Sequence, residues 1–240
     1  MTMTPGDPAT PVDVRDVRAV LRGALLGLGA AALISIPFLV LLVLVRTEAA
    51  GLAGVDHHVA DGLHDLVSDL PHLVDLLLLI SAVSAPWVLR GIAFVVAIVL
   101  WRSGDRLGAV WLAVTMVVGG VLGLVLKELV ERARPEFAEP VMVATGYSFP
   151  SGHALNSMLF AACMMVLVNP RTHGAVRAVA WALAVLFVVV VGLDRIALGV
   201  HYVSDVLAGW IVALATVTGT TLAFGITKSH RFVTSSSGNP

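Results

Sequence analysis

At 240 residues, 58% of them hydrophobic and 13% charged, with a mean hydropathy of +0.94, the chain has too few charges to cover the surface of a soluble domain. A formal net charge of -1 removes the basic balance that a phosphate-backbone binder needs, so nucleic acid is not an expected partner. Its one cysteine, Cys163, lies in an apolar run and can build neither a disulfide framework nor a thiolate metal cluster within one chain.

A bilayer core about 30 Å thick takes about 20 apolar residues as helix, and stretches without Asp, Glu, Lys or Arg locate six candidate spans. Residues 1–17 form a Pro- and Thr-rich tail that is expected to be disordered, and residues 23–45 make the first span. Between 47 and 72 there are five acidic residues and no Lys or Arg. Within that stretch Val55, Val59, Leu63, Leu66, Val67 and Leu70 recur at helical spacing while Asp61, Asp65 and Asp69 line the opposite face, which predicts an amphipathic helix on the outer membrane surface. Its histidines, His57, His58, His64 and His72, match no metalloenzyme motif, and no metal site is expected. Residues 73–101 are interrupted by Pro86 and Arg90; they read as an interfacial entry over 73–85 followed by a second span over 86–101. Arg90 falls near the outer headgroups or the bundle interior and stays outside the catalytic set. The remaining spans cover 107–126, 154–170, 178–193 and 206–227, followed by a tail from 229 to 240. The expected fold class is thus all-α, a single six-helix membrane domain over residues 18–228.

Arg15, Arg18 and Arg22 precede the first span, Arg102 and Arg106 separate the second and third, Arg171 and Arg177 the fourth and fifth, and Lys228 and Arg231 follow the sixth. All nine fall on one side, which the positive-inside rule makes cytoplasmic, so both termini are expected inside a cell membrane.

Polar residues that do not suit a bundle then gather at the outer rim. Lys127 and Arg134 are seven residues apart; continued as helix, that spacing puts both cations on one face about 10 Å apart, with Pro135 ending the helix. Pro150, Ser151, Gly152 and His153 open the fourth span, where free N–H groups and the helix dipole favour an anion such as phosphate. Arg195 closes the fifth. His201 and Asp205 are four apart at the entry to the sixth, so a helical stretch would let the carboxylate fix the imidazole's tautomer. Three cations, two histidines, a carboxylate and an amide nest suit phosphate ester cleavage, in which positioning and cationic stabilisation do most of the catalysis and no metal or other cofactor is required.

Taken jointly, Lys127 with six residues to Arg134-Pro135, then Pro150-Ser151-Gly152-His153, then Arg195 with five residues to His201 and three to Asp205, closely resembles the type 2 phosphatidic acid phosphatase superfamily. All ten of those positions match. The resemblance implies a metal-independent membrane phosphatase acting on lipid phosphates or isoprenyl diphosphates from the surrounding membrane. It further implies His201 as the nucleophile that becomes phosphohistidine, Asp205 as its orienting partner and His153 as general acid. Lys127, Arg134, Arg195 and the Ser151 and Gly152 amides would then bind the phosphoryl group. One position departs: Asp194 stands where the family has serine, and it is expected to point away into the membrane interface. A non-enzymatic lipid transporter or scaffold, and a phosphotransferase using the same histidine, are the competing readings.

Overall fold

The computed structural model describes residues 14–226, and the regular structure among them is all helical, with no strand. The expected tails over 1–13 and 229–240 lie outside them; α1 (Val14–Ile34) already begins inside the stretch expected as tail.

The first apolar run, expected as one span, is two helices. Pro37 occupies the first turn of α2 (Ile36–Arg46), and Ser35 Oγ donates to the Ala31 carbonyl at 2.8 Å, so the axis bends by 42° at Ser35. α1 packs along the last helix of the chain, with Gly27 facing the Gly219 carbonyl so closely that a Cβ there would collide with it.

α3 (Ala50–Ser68) and α4 (Pro71–Val83) meet at a 118° bend before Pro71. α3 lies where an amphipathic helix is expected, but its covered face is a different one. Asp56, Ala60, His64 and Val67 are buried, whereas Val55, Leu66 and Leu70 are about half exposed or more. The reason is polar: Asp56, completely buried, receives hydrogen bonds from two other segments, and that demand sets the rotation of the helix. His57 and His64 are taken up separately, His57 edge-on to Tyr202 and His64 stacked on Phe137.

α5 (Pro86–Arg102) is seventeen residues long and α6 (Arg106–Val130) twenty-five. α7 (Gly152–Val168) continues through a 3-10 turn over Asn169–Arg171, and α8 (Gly174–Ala197) and α9 (Val203–Phe224) complete the chain. α7 is the centre: Leu155, Leu159 and Cys163 pack among Trp111, Leu112, Ala208 and Val212, and Gly119 and Gly123 of α6 make room for the two leucines. Four helices, α6 to α9, are long and apolar enough to cross a membrane, or up to six spans if the bent pairs α1–α2 and α3–α4 each count as one; α5, the expected second span, is not among them. The outward faces are apolar: Leu25, Phe94, Val117 and Leu183 are all at least 60% exposed, a surface that water would not tolerate and lipid does. The chain is an integral membrane protein.

Candidate active site

The C-terminal end of α6 starts the site. Asp105 caps the helix at its other end, and after Val130 the chain turns at Glu131, whose φ of 53° is left-handed. The helix therefore stops before Arg132, not at Pro135, and Arg134 is not on it. The expected separation of about 10 Å along one helix face gives way to a closer arrangement. Residues 131–151 fold back over the helix end, and Lys127 Nζ and Arg134 Nη2 donate to the same carbonyl, that of Tyr147. Arg134 is further held by the carbonyls of Gly146 at 2.9 Å, Thr145 at 3.1 Å and Val200 at 2.7 Å. Two cations of one sign are kept together because backbone carbonyl dipoles face both.

His201 and Asp205 also meet, by a different geometry from a continuous helix. His201 precedes α9, and Asp205 lies in its first turn, where Oδ2 accepts from the Tyr202 amide at 2.9 Å as part of a capping box. The same oxygen lies 3.4 Å from His201 Nδ1, and Arg134 Nη1 lies 3.2 Å from His201 Nε2. A guanidinium can only donate, so Nε2 accepts and the ring proton sits on Nδ1, facing the carboxylate. Burial pushes the His201 pKa down to about 4, with the hydrogen bond and charge of Asp205 opposing and Arg134 and Lys127 adding to the fall. The imidazole is neutral at neutral pH.

Asp205 has a second duty that its spacing from His201 does not reveal. Arg132, one of the cations the motifs leave unassigned, donates to Asp205 Oδ1 at 2.6 Å, to Ser204 Oγ at 2.6 Å and to Asp56 Oδ2 at 2.8 Å. Asp56 in turn accepts from the Ser204 amide at 3.0 Å. Desolvation disfavours the Arg132 charge, yet Asp205 and Asp56 together raise its pKa above the ordinary value. Its guanidinium also stacks 4.3 Å from the Tyr202 ring centre. Arg46, likewise unassigned by sequence, caps the end of α6 through the Leu129 carbonyl at 3.0 Å and the Val130 carbonyl at 3.4 Å.

At the start of α7, Ser151 is the N-cap, its Oγ accepting from the Ala154 amide. Its own amide donates to the Asp205 carbonyl at 2.9 Å, so it is not available to an anion as expected. The N–H groups of Gly152 and His153 are the ones this helix start leaves open; Gly152 stands next to the Lys127 stem, where a Cβ would be 4.0 Å from Lys127 Cε. His153 Nε2 donates to the Ser81 carbonyl at 3.2 Å, and the ring lies within electrostatic reach of Arg195, His201 and Arg134. Arg195, 2% exposed, donates to the Ser81 hydroxyl, so one serine of α4 braces both residues. Asp194 does not point into the interface. It is buried and pairs with Arg195 at 3.3 Å, which answers the repulsion a carboxylate here would otherwise exert on an anion.

All eight residues singled out by the motifs thus gather at one end of α6 to α9. Asp56, Ser81, Arg132 and Ser204 join them from outside the motifs. Arg132 alone carried a sequence signal, as a third cation among Lys127 and Arg134 with no place in the phosphate clamp.

Phosphatidylglycerophosphatase B of Bacillus subtilis is 37% identical to this chain over 100 residues, 39% of this chain and 47% of that protein. Undecaprenyl-diphosphatase of Sulfolobus acidocaldarius is 32% identical over 123 residues, 49% and 56% of the two. The chain spans about half the length of these curated relatives. In fold it is similar to the crystal structure of a transmembrane PAP2-type phosphatidylglycerolphosphate phosphatase from Bacillus subtilis, with a TM-score of 0.68 at 24% identity over 83% of this chain and 96% of that one. Aquifex aeolicus LpxE aligns with a TM-score of 0.54 at 20% identity over 72% and 94%. Residues 108–227, from the first turn of α6 through α9, match the PAP2 superfamily, and this half of the molecule holds every motif residue described above: the chain belongs to the PAP2 superfamily.

Proposed function

We propose that the protein is a metal-independent lipid phosphatase that works through a phosphohistidine on His201, with its site on the extracytoplasmic face and both termini in the cytoplasm. The observation that carries this reading is the double anchoring of the His201 ring, Nδ1 toward Asp205 and the Nε2 lone pair toward Arg134, which aims that lone pair among cations and frees it for phosphorus once Arg134 turns to a phosphoryl oxygen. In the first step Nε2 bonds to phosphorus while the phosphorus–oxygen bond to the lipid breaks. Asp205 stabilises the positive ring that results. Lys127, Arg134 and Arg195 exchange their present partners for phosphoryl oxygens, and the open Gly152 amide donates to another. The leaving oxygen takes a proton from His153. Because the Nε2 proton of that ring is committed to Ser81, the donor is Nδ1–H of the doubly protonated ring, which is left neutral and able to take a proton from water. Water, activated by His153, then cleaves the phosphorus–nitrogen bond, and inorganic phosphate leaves.

The names of the relatives favour lipid phosphates and isoprenyl diphosphates as substrates. The test is phosphate release by detergent-purified protein from phosphatidic acid, phosphatidylglycerol phosphate and an isoprenyl diphosphate, with chelator and with His201→Ala. We expect release that survives chelation and falls to background in the variant. Loss on chelation overturns the metal-free mechanism, and an active His201→Ala overturns the nucleophile.

A further inference from the structure

Arg90 is a cation without a counter-charge. One turn into α5, its Nε donates to Asn156 Oδ1 at 3.0 Å, and among the described residues no carboxylate pairs with it. Its guanidinium lies against the bare backbone of α6 at Gly120, where a Cβ would stand 2.9 Å from Nη2. It also lines an apolar groove of about 310 Å³ between α5 and α6, together with Phe94, Met116, Val117, Val121 and Leu124. Phe94, Val117 and Val121 are more than half exposed on the outward surface, so the groove opens to lipid.

Position relates this cation to the phosphate site. Asn156, its partner, also donates to the Gly152 carbonyl at 2.8 Å, tying Arg90 to the start of α7. Asn156 is four residues deeper than Gly152, and Gly120 seven residues deeper than Lys127, which places Arg90 about 6 to 10 Å below the phosphoryl-binding cations. An unpaired charge at that depth in low dielectric is costly and draws an anion.

We propose that Arg90 and the α5–α6 groove form a second anion subsite, which takes the inner phosphodiester of a lipid whose terminal phosphate is the one cleaved, an acyl chain running down the groove. This rests on the phosphatase reading and narrows its substrate class. Two phosphates separated by a short carbon spacer reach both places. The phosphorus atoms of a diphosphate share one bridging oxygen and cannot, and a lipid monophosphate leaves Arg90 empty.

The experiment compares kcat and KM of wild type, Arg90→Gln and Arg90→Lys on phosphatidylglycerol phosphate, phosphatidic acid and farnesyl diphosphate in neutral detergent micelles. Arg90→Gln is expected to raise KM about 10-fold or more for the spaced lipid alone, the value of a charge-assisted hydrogen bond, with partial recovery in Arg90→Lys. An equal loss on all three substrates would assign Arg90 to holding Asn156, and no loss on any would leave the subsite without a ligand; either overturns the proposal. So does a difference between wild type and Arg90→Gln that follows the fraction of added phosphatidylglycerol, because the anion is then bulk lipid. Should the wild type release phosphate from nothing, the phosphatase reading fails, and binding decides the subsite. Thermal stabilisation of the His201→Ala protein by phosphatidylglycerol phosphate supports it if Arg90→Gln abolishes the effect and overturns it if the effect persists.

Discussion

The most informative single residue outside the motifs is Asp56. Its two oxygens hold Arg132 and Ser204, and Arg132 holds the oxygen of Asp205 that does not face His201. Asp205 therefore works between two cations, the ring that becomes positive during reaction and the fixed guanidinium of Arg132. Asp56 balances the latter. Asp56→Asn leaves Arg132 undercompensated, drawing Asp205 away from the reacting ring; kcat is expected to drop about 10- to 100-fold, as for other outer partners of a reactive histidine, with KM little changed. Rapid-quench measurement of the phosphoenzyme checks it, since a merely structural role would lower thermal stability and leave the phosphorylation rate of folded protein intact. The acid limb of kcat/KM belongs to the same scale. A His201 pKa near 4, below the ordinary 6.5, means that the neutral nucleophile persists as pH falls from neutrality and is lost only on passing through about 4. A limb at the ordinary histidine value, after correction for substrate ionisation, would contradict the buried ring.

Among the elements, α1 and α9 depend on each other through backbone contact. Gly27 and Gly219 bring the two helices so close that no side chain fits between them, and Gly23 similarly faces the Leu222 carbonyl. Gly27→Val is expected to separate the pair, costing about 1 to 3 kcal/mol and lowering the melting temperature in detergent. Activity per folded molecule should survive, because α1 supplies no residue to the site. α3 and α4 have the opposite character. They hold none of the motif residues and yet deliver Asp56 and Ser81 to the site, so their rotation follows from polar partners and not from their apolar periodicity.

For the molecule as a whole, the charge distribution along the chain supports the proposed orientation, and Cys163 makes it easy to measure. That thiol is buried at the centre of α7 and does not compete with introduced cysteines. With both termini inside, Glu139→Cys in the outer loop is expected to react with a membrane-impermeant maleimide in intact cells, and Ser103→Cys, between α5 and α6, only after permeabilisation. The reverse pattern would place the phosphate-binding rim in the cytoplasm.

By itself the sequence determined the all-helical membrane character, the four long helices of the second half and all ten motif positions. These depend on composition and on short-range spacing, both of which a chain carries in one dimension. Only the tertiary structure decided how the motifs meet. The left-handed turn at Glu131 takes Arg134 off the helix and brings it, with Lys127, to one carbonyl. The Ser151 amide is spent on Asp205, and Asp194 turns inward to Arg195. Arg132 and Asp205 are separated by 73 residues and Arg132 and Asp56 by 76, and no periodicity records such pairings. They form because burying these charges without partners is costly, and the partners come from segments that only the fold brings together.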